Sequence, residues 1–177
     1  MGTVRATRLV TAEDAPAVTK LLVDNREFLA PWEPVRPDEF FTLERQQAII
    51  ADVLTAYEQG AMVPHVIVGD QGEVVGRINL NTIVRGAFQS CSLGYWVGAE
   101  HNGRGYATKA VDDIKRVAFE EHALHRVEAS TLLDNVRSQR VLERNGFVRF
   151  GVAPTYLNIA GTWQDCALYQ VITTAQM

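Results

Sequence analysis

The segment that most constrains the fold is a glycine-rich passage from a strand to a helix in the middle of the chain. An apolar strand pattern ends at Val97, and Gly98, Gly103 and Gly105 follow before an amphipathic helix begins at Ala107. Such a helix start presents unpaired backbone N–H groups, and its dipole favours an anion. Without a Cβ, Gly103 and Gly105 let a phosphate approach the backbone. On this evidence alone, a plain tight turn explains the glycines equally well.

The spacing of these glycines excludes two common phosphate-binding loops. The third glycine and the early β-α-β unit of a dinucleotide-binding fingerprint are missing. A P-loop is excluded as well, because no Gly-Lys-Ser/Thr follows.

Hydrophobic periodicity predicts strands and helices along the rest of the chain. Strands are predicted at 3–10, 62–68, 73–84, 89–97, 126–131, 147–151 and 163–172, and helices at about 12–25, 40–59, 107–120 and 136–144. Residues 30–37 contain three prolines, which predicts an exposed loop that is not helical. The order β-α-α-β-β-β-α-β-α-β-β predicts an α/β layer structure around one central sheet.

Length and composition predict an ordinary soluble protein of one compact domain. The 177 residues suit one domain over 1–177, with 47% hydrophobic and 21% charged residues. Two cysteines are too few for a disulfide framework, so we expect a reduced, cytoplasmic setting. We expect no signal peptide, membrane span or metal site. The net charge of −4 argues against direct nucleic-acid binding.

The last third of the chain is rich in arginine. The crowded positions are Arg126, Arg137, Arg140, Arg144 and Arg149. These side chains are either a solvated helix face or an anion-binding group.

A second motif lies at the start of the last predicted helix. Asn135 is typical of a helix N-cap, and Ser138 follows in the first turn. Gly146 ends this helix, directly before Phe147. By spacing alone, Ser138 is equally an ordinary helix-start residue.

Taken together, these motifs resemble those of the GNAT N-acetyltransferases. The likeness lies in Asn102-Gly103-Arg104-Gly105-Tyr106-Ala107 and in Asn135-x-x-Ser138 with the later Glu143-x-x-Gly146-Phe147. The chain most resembles the RimJ/RimL type, which acetylates N-termini of ribosomal proteins, and within it RimJ. Further likeness covers residues 25–36, 81–94 and 161–165, so it runs from about residue 8 to about residue 170. The resemblance implies the GNAT fold, an α/β (α+β) fold with a mixed, mostly antiparallel twisted sheet of about seven strands and about four flanking helices.

The resemblance also implies a reaction and a donor, acetyl-CoA. A neutral amine would attack the acetyl thioester directly in a ternary complex. The pantetheine arm would lie in a cleft between residues 95–98 and the strand 126–131. A backbone N–H near Val97 would polarise the thioester carbonyl. Ser138 would donate a proton or a hydrogen bond to the leaving thiolate.

The implied cofactor-binding residues extend along both motifs. They are Trp96, Val97, Asn102, Gly103, Arg104, Gly105, Tyr106, Ala107, Thr108, Asn135, Ser138 and Arg140. Amides of residues 103–108 would hold the diphosphate, with Arg104 adding charge, and Asn135 would bind the pantetheine arm.

Two positions depart from the family pattern. Leu142 stands where many GNAT enzymes carry a general-acid tyrosine, so that role passes to Ser138 or to water. Asn102 stands where glutamine or arginine is commoner, which removes one side-chain contact and leaves the backbone cradle.

The acceptor side has two candidate general bases, Glu33 and Asp165. Thr155 occupies the position where RimL-type relatives carry a glutamate. Trp32, Glu33, Tyr95 and Asp165 are expected to contact the acceptor. Each acid is equally a surface acid or a loop cap, and Trp32 is equally a packed loop anchor.

We therefore expect an Nα-acetyltransferase acting on a protein N-terminus, that of a ribosomal protein, as a monomer or homodimer. Within the enzyme class, the alternative acceptor is a small amine such as an antibiotic, a peptide antibiotic or a polyamine. The alternative from another class is an acyl-CoA-binding module without turnover. Asn135 and Ser138 together argue against that module. No membrane partner is expected.

Overall fold

A seven-stranded sheet forms the centre of the protein, whose computed structural model describes residues 5–173. Its strands are β1 (Thr7–Leu9), β2 (Val63–Val68), β3 (Val74–Val84), β4 (Ser90–Val97), β5 (Arg126–Leu132), β6 (Val148–Ile159) and β7 (Thr162–Ile172). Their order in the sheet is β1-β2-β3-β4-β5-β7-β6. All neighbours pair antiparallel except β4 and β5, which are parallel. This confirms the predicted mixed, mostly antiparallel sheet.

Helices cover both faces of the sheet. They are α1 (Ala15–Asp24), the single turn α2 (Arg26–Leu29), α3 (Leu43–Glu58), α4 (Tyr106–Arg116) and α5 (Val136–Arg144). Successive strand residues point to opposite faces. In β2, Val66 packs in the core below α1 and α3, whereas Val63 and Ile67 pack in the core below α4 and α5. No helix within residues 5–173 is long and apolar enough to cross a membrane.

The prolines between α2 and α3 do not prevent helical turns, contrary to the sequence prediction. Residues Ala30–Trp32 form a 3-10 turn, and Asp38–Phe41 form another. Pro31 lies at the start of its turn, where a backbone N–H has no intrahelical partner to lose. The helix predicted from about residue 40 begins at Leu43, because the Thr42 side chain caps it by accepting from the Arg45 N–H.

The largest difference between the predicted and the observed strands is in β6. The strand predicted to end at residue 151 continues to Ile159, with a break in register between Ala153 and Leu157. Pro154 interrupts the strand pattern in the sequence, but pairing with β7 extends the strand beyond it. The first strand is shorter than predicted, and residues 3 and 4 of that prediction lie outside the described residues. The ends of the predicted domain, residues 1–4 and 174–177, lie outside them too.

Candidate active site

The sheet opens between its two parallel strands. Pairing of β4 with β5 runs from Ser90 and Arg126 to Leu93 and Ala129 and then stops, so the last residues of both strands diverge. A cavity of about 630 Å³ occupies this opening and extends toward the loop before α3. We call it the end cavity. Its lining includes Trp32, Glu33, Arg77, Asn79, Tyr95, Trp96, Thr131 and Ser138.

Two further cavities continue from the end cavity, so that together they form one groove. The middle cavity, of about 570 Å³, shares Tyr95, Trp96, Asn135 and Ser138 with the end cavity. The third cavity shares Val97, Asn102 and Ala107 with the middle one and reaches the glycine turn. The structure therefore brings most of the predicted cofactor-binding residues to one groove.

The glycine turn has the backbone that the anion-site hypothesis needs. Gly103 and Gly105 have φ of +75° and +81°, a left-handed conformation that other residues rarely adopt. Gly105 is the N-cap of α4, so the first-turn N–H groups of this 11-residue helix lie beside the third cavity. A Cβ built on either glycine would meet no protein atom within 4 Å. The open space at both positions is where an anionic ligand can approach the backbone.

Three arginines of α5 line the third cavity opposite the glycine turn. They are Arg137, Arg140 and Arg144. Of these, only Arg140 is among the residues predicted to bind the cofactor. The spacing i, i+3, i+7 places all three on one helix face. That spacing is visible in the sequence and could have added Arg137 and Arg144 to the predicted cofactor-binding residues. The helix N-terminus and these guanidinium groups make this end of the groove suitable for phosphates.

Ser138 is positioned by Asn135 and contacts Tyr95. The Asn135 side chain accepts a hydrogen bond from the Ser138 N–H at 3.2 Å, which is the predicted N-cap. The Tyr95 hydroxyl lies 2.7 Å from Ser138 Oγ and also donates to the Ser138 carbonyl at 3.3 Å. Burial raises the pKa of Tyr95 to about 12, although its bond to Ser138 opposes the shift. Tyr95 therefore keeps its proton and remains a hydrogen-bond donor at neutral pH.

Leu142 offers no acid in place of the family's tyrosine. It is 0% exposed and packs in the core below α4 and α5. The Tyr95 hydroxyl supplies a phenol at Ser138 from β4 instead of from α5.

The proline-rich loop brings Trp32 and Glu33 to the end cavity. Trp32 also lines the middle cavity, and the Glu33 carbonyl accepts a hydrogen bond from the Ala160 N–H at 2.9 Å. That bond ties the loop to the turn between β6 and β7. Burial raises the pKa of Glu33, and the nearby Arg36 partly opposes the shift. A carboxylate with a raised pKa is a stronger base.

Two predicted site residues lie apart from the groove. Asp165 does not line any of the three cavities within the described chain, and its carboxylate accepts a hydrogen bond from the Thr155 N–H at 2.8 Å. Arg104 also lies outside their lining; its guanidinium is 3.7 Å from Asp70 and 5.3 Å from the centre of the Tyr106 ring. Tyr106 lines the third cavity but is mainly a core residue.

The sequence profile of the acetyltransferase (GNAT) domain matches residues 7–148. The chain belongs to the GNAT acetyltransferase family. It is therefore an acetyl-CoA-dependent acyltransferase, and its predicted likeness to the RimJ/RimL type is confirmed by the relatives below.

Three relatives of this GNAT chain cover most of its length. A [ribosomal protein uS5]-alanine N-acetyltransferase of Escherichia coli (strain K12) is 34% identical over 167 residues, covering 94% of this chain and 86% of that protein. The structure of a ribosomal-protein-S5-alanine acetyltransferase from Vibrio fischeri matches with a TM-score of 0.93 at 29% identity, covering 99% and 98% of the two chains. The structure of Mycobacterium smegmatis RimJ in complex with CoA-disulfide matches with a TM-score of 0.91 at 29% identity, covering 96% of this chain and 82% of that chain.

The groove of this GNAT chain fits acetyl-CoA by its own chemistry. One end has the α4 N-terminus, the open glycine positions and three arginines, which suit a diphosphate. Where the middle cavity meets the end cavity, the groove has the Ser138 and Tyr95 hydroxyls, which suit a leaving thiolate. Bound there, acetyl-CoA supplies an activated acetyl thioester.

Proposed function

We propose that this protein acetylates the N-terminal α-amino group of a protein, and specifically of ribosomal protein uS5. The observation that carries the proposal is the 34% identity, over 94% of the chain, to a [ribosomal protein uS5]-alanine N-acetyltransferase. The end cavity supports it, because a protein N-terminus needs an opening that reaches the thiolate-binding hydroxyls. An acceptor of this kind would make the reaction cytoplasmic.

In the proposed reaction, the acceptor nitrogen attacks the thioester carbonyl carbon directly. An α-amino group has a pKa of about 7.7–8.0, so a substantial fraction of it is neutral near pH 7. Glu33 takes the proton that the nitrogen loses, directly or through one water. We prefer Glu33 to Asp165 because Glu33 lines the end cavity and burial raises its pKa, whereas Asp165 is not among the residues that line this cavity.

The carbon–sulfur bond then breaks, and the sulfur needs a proton. Ser138 donates it, and the Tyr95 hydroxyl, 2.7 Å away, then turns its single proton from the Ser138 carbonyl to Ser138 Oγ. A backbone N–H near Val97 would stabilise the negative charge that develops on the carbonyl oxygen. Asn135 would keep Ser138 in place through its N-cap bond.

The test is mass spectrometry of protein N-termini in cells with and without this protein. We expect uS5 to lose its N-terminal acetyl group when the protein is absent and to regain it on complementation. Purified enzyme should acetylate a peptide with the uS5 N-terminal sequence. Unchanged acetylation of uS5 in both strains would refute the proposed acceptor.

A further inference from the structure

The end cavity contains a buried arginine that forms no ion pair within the part of the chain that the structure describes. Arg77 lies in the middle of β3, and only 8% of it is exposed. Its Nε and Nη2 atoms lack hydrogen-bond partners, and none of the ion pairs within residues 5–173 includes it. Burying an unpaired charge is costly, so such a group is usually paired or binds a ligand.

Other unpartnered polar atoms lie in the same cavity. Asn79 Oδ1 and Thr131 Oγ1 are buried without a hydrogen bond, and both residues line the end cavity with Arg77. These three residues contribute four of the seven such atoms in the described chain. Native proteins contain only a few unsatisfied buried groups, and each needs a reason. Their concentration here indicates a binding site for a polar ligand.

The register of the sheet places Arg77 on the strand next to the one that carries Tyr95 and Val97. Arg77 is directly opposite Trp96 on β4, and Asn79 is opposite Gly94. Arg77 is therefore one strand away from the segment that includes Tyr95 and Val97. Adjacent strands are about 4.8 Å apart. An extended chain advances about 3.3–3.6 Å per residue, so the second or third residue of an acceptor reaches this distance.

The charge of the cavity wall identifies the ligand class. Among the described residues, the lining contains three arginines, Arg36, Arg45 and Arg77, and one carboxylate, Glu33. Asp14 acts on Arg77 electrostatically, but Arg8 already binds it through two hydrogen bonds of 2.8 Å. The cavity is therefore positively charged apart from the proposed base.

We propose that Arg77 binds the side-chain carboxylate of an acidic residue at position 2 or 3 of the acceptor, and so selects acidic N-terminal sequences. This inference rests on the proposed function. Asn79 and Thr131 would hydrogen-bond the acceptor backbone beside that carboxylate. Arg36 and Arg45, which are exposed, would attract an acidic segment to the cavity mouth.

The first test uses the unmodified enzyme and C-terminally amidated peptides, in which the side chain is the only carboxylate. Ala-Asp-Ser-Gly and Ala-Ala-Asp-Gly are each compared with the same peptide carrying Asn. A hydrogen-bonded charge in a buried site should raise kcat/KM roughly 10- to 100-fold for Asp over Asn. A peptide with Asp at position 5 is the distance control and should show no preference. Equal kcat/KM for Asp and Asn at positions 2 and 3 would overturn the inference.

The second test uses variants of the cavity arginines. Arg77→Met should reduce the ratio of kcat/KM for the Asp peptide to that for the Asn peptide to about 1. Arg77→Lys should retain part of the preference for Asp. Arg45→Gln is the matched control, because an exposed charge acts at long range and its effect should vanish in high salt. A full Asp preference in folded Arg77→Met would overturn the assignment.

Binding of reaction products separates this inference from the proposed function. Calorimetry with N-acetylated Ala-Asp-Ser-Gly and Ala-Asn-Ser-Gly amides needs no turnover. If no peptide is acetylated, the proposed function fails. The Asp-to-Asn ratio of Kd then decides the subsite: tighter binding of the Asp peptide supports it, and equal binding overturns it.

Discussion

The Ser138 and Tyr95 hydroxyls are in direct contact, so we expect their contributions to turnover to be coupled. Ser138→Ala removes the group nearest the leaving sulfur. Positioned proton donors contribute about 100- to 10,000-fold, and water can replace part of this. We predict a decrease of kcat of about 100-fold with a much smaller change in acetyl-CoA affinity, measured by steady-state kinetics and calorimetry.

Tyr95→Phe keeps the ring and removes the hydroxyl, so it is the matched partner in a double-mutant cycle. The double variant should be little slower than Ser138→Ala alone, because one relay is interrupted in both cases. Wild-type turnover in Ser138→Ala would reduce Ser138 to a helix-start residue. Fully additive effects would separate Tyr95 from the relay.

Glu33→Gln tests the general base at the one acidic residue that lines the end cavity within residues 5–173. We predict a decrease of kcat/KM on a peptide acceptor with little change in acetyl-CoA affinity. Because burial raises the pKa of Glu33, activity should fall as the pH drops through that raised pKa and the base becomes protonated. The Glu33→Gln profile should lack this acidic limb.

Asp165→Asn is the control for Glu33, since its carboxylate binds the Thr155 N–H outside the groove. We expect it to keep the wild-type pH profile. Loss of the acidic limb in Asp165→Asn, with the limb intact in Glu33→Gln, would transfer the role to Asp165.

At the scale of elements, the N-terminus of α4 should control donor affinity. Gly105→Val places a branched side chain in the open space beside the first-turn N–H groups. Loss of hydrogen bonds to a charged ligand predicts acetyl-CoA binding that is weaker by about 10- to 100-fold. Calorimetry measures this change.

Gly72→Val is a matched control for the backbone strain. Gly72 has φ of +83°, close to the +81° of Gly105, and lies in the turn between β2 and β3. Both variants should lose about 1–3 kcal/mol of stability, because both force a branched residue into a left-handed conformation. If Gly72→Val weakens acetyl-CoA binding as much as Gly105→Val does, then backbone strain explains the weaker binding, and the loss of N–H groups at the start of α4 does not.

At the scale of the whole molecule, a buried network joins β1, β2 and α4. The Thr7 hydroxyl donates to Asp113 at 3.0 Å, and its oxygen lies 3.0 Å from His65 Nδ1. The hydroxyl has one proton, so His65 donates its Nδ1–H to Thr7. Burial lowers the pKa of His65 from 6.5 to about 4; Asp113 and Glu121 oppose the shift, and Arg5 and His122 add to it.

This network predicts how stability depends on pH. Between pH 6.5 and 4 the unfolded chain binds the His65 proton more tightly than the folded protein does. The contribution of neutral His65 to the free energy of unfolding is therefore complete above pH 6.5. It is lost as the pH falls toward 4, by an amount on the order of 3 kcal/mol. Urea unfolding across this pH range should show a smaller loss of stability in His65→Gln than in the wild type. His125→Gln, outside the network, should keep the wild-type loss, and parallel curves for His65→Gln and wild type would contradict the prediction.

Local signals in the sequence determine most of the elements. The helix predicted at 136–144 has the same ends in the structure, because its start and end depend on Asn135 and Gly146 within the segment itself. The glycine turn and the N-cap at Asn135 follow from similar short-range rules. The extension of β6 to Ile159 does not, because it depends on pairing with the neighbouring strand β7 and on the bond from Thr155 to Asp165, and the segment after Pro154 contains no strand signal of its own.

The sequence by itself determined the order of elements, the GNAT family and the groove residues on the two motifs. Only the tertiary structure decided which groups meet within the groove. The contact of Tyr95 with Ser138 joins residues 43 positions apart, and the burial of Arg77 opposite Trp96 depends on the register of β3 with β4. The sequence shows an arginine among the apolar residues of β3, but it does not show which groups surround that arginine. Packing between distant segments sets burial and pairing, and hydrophobic periodicity contains no such information.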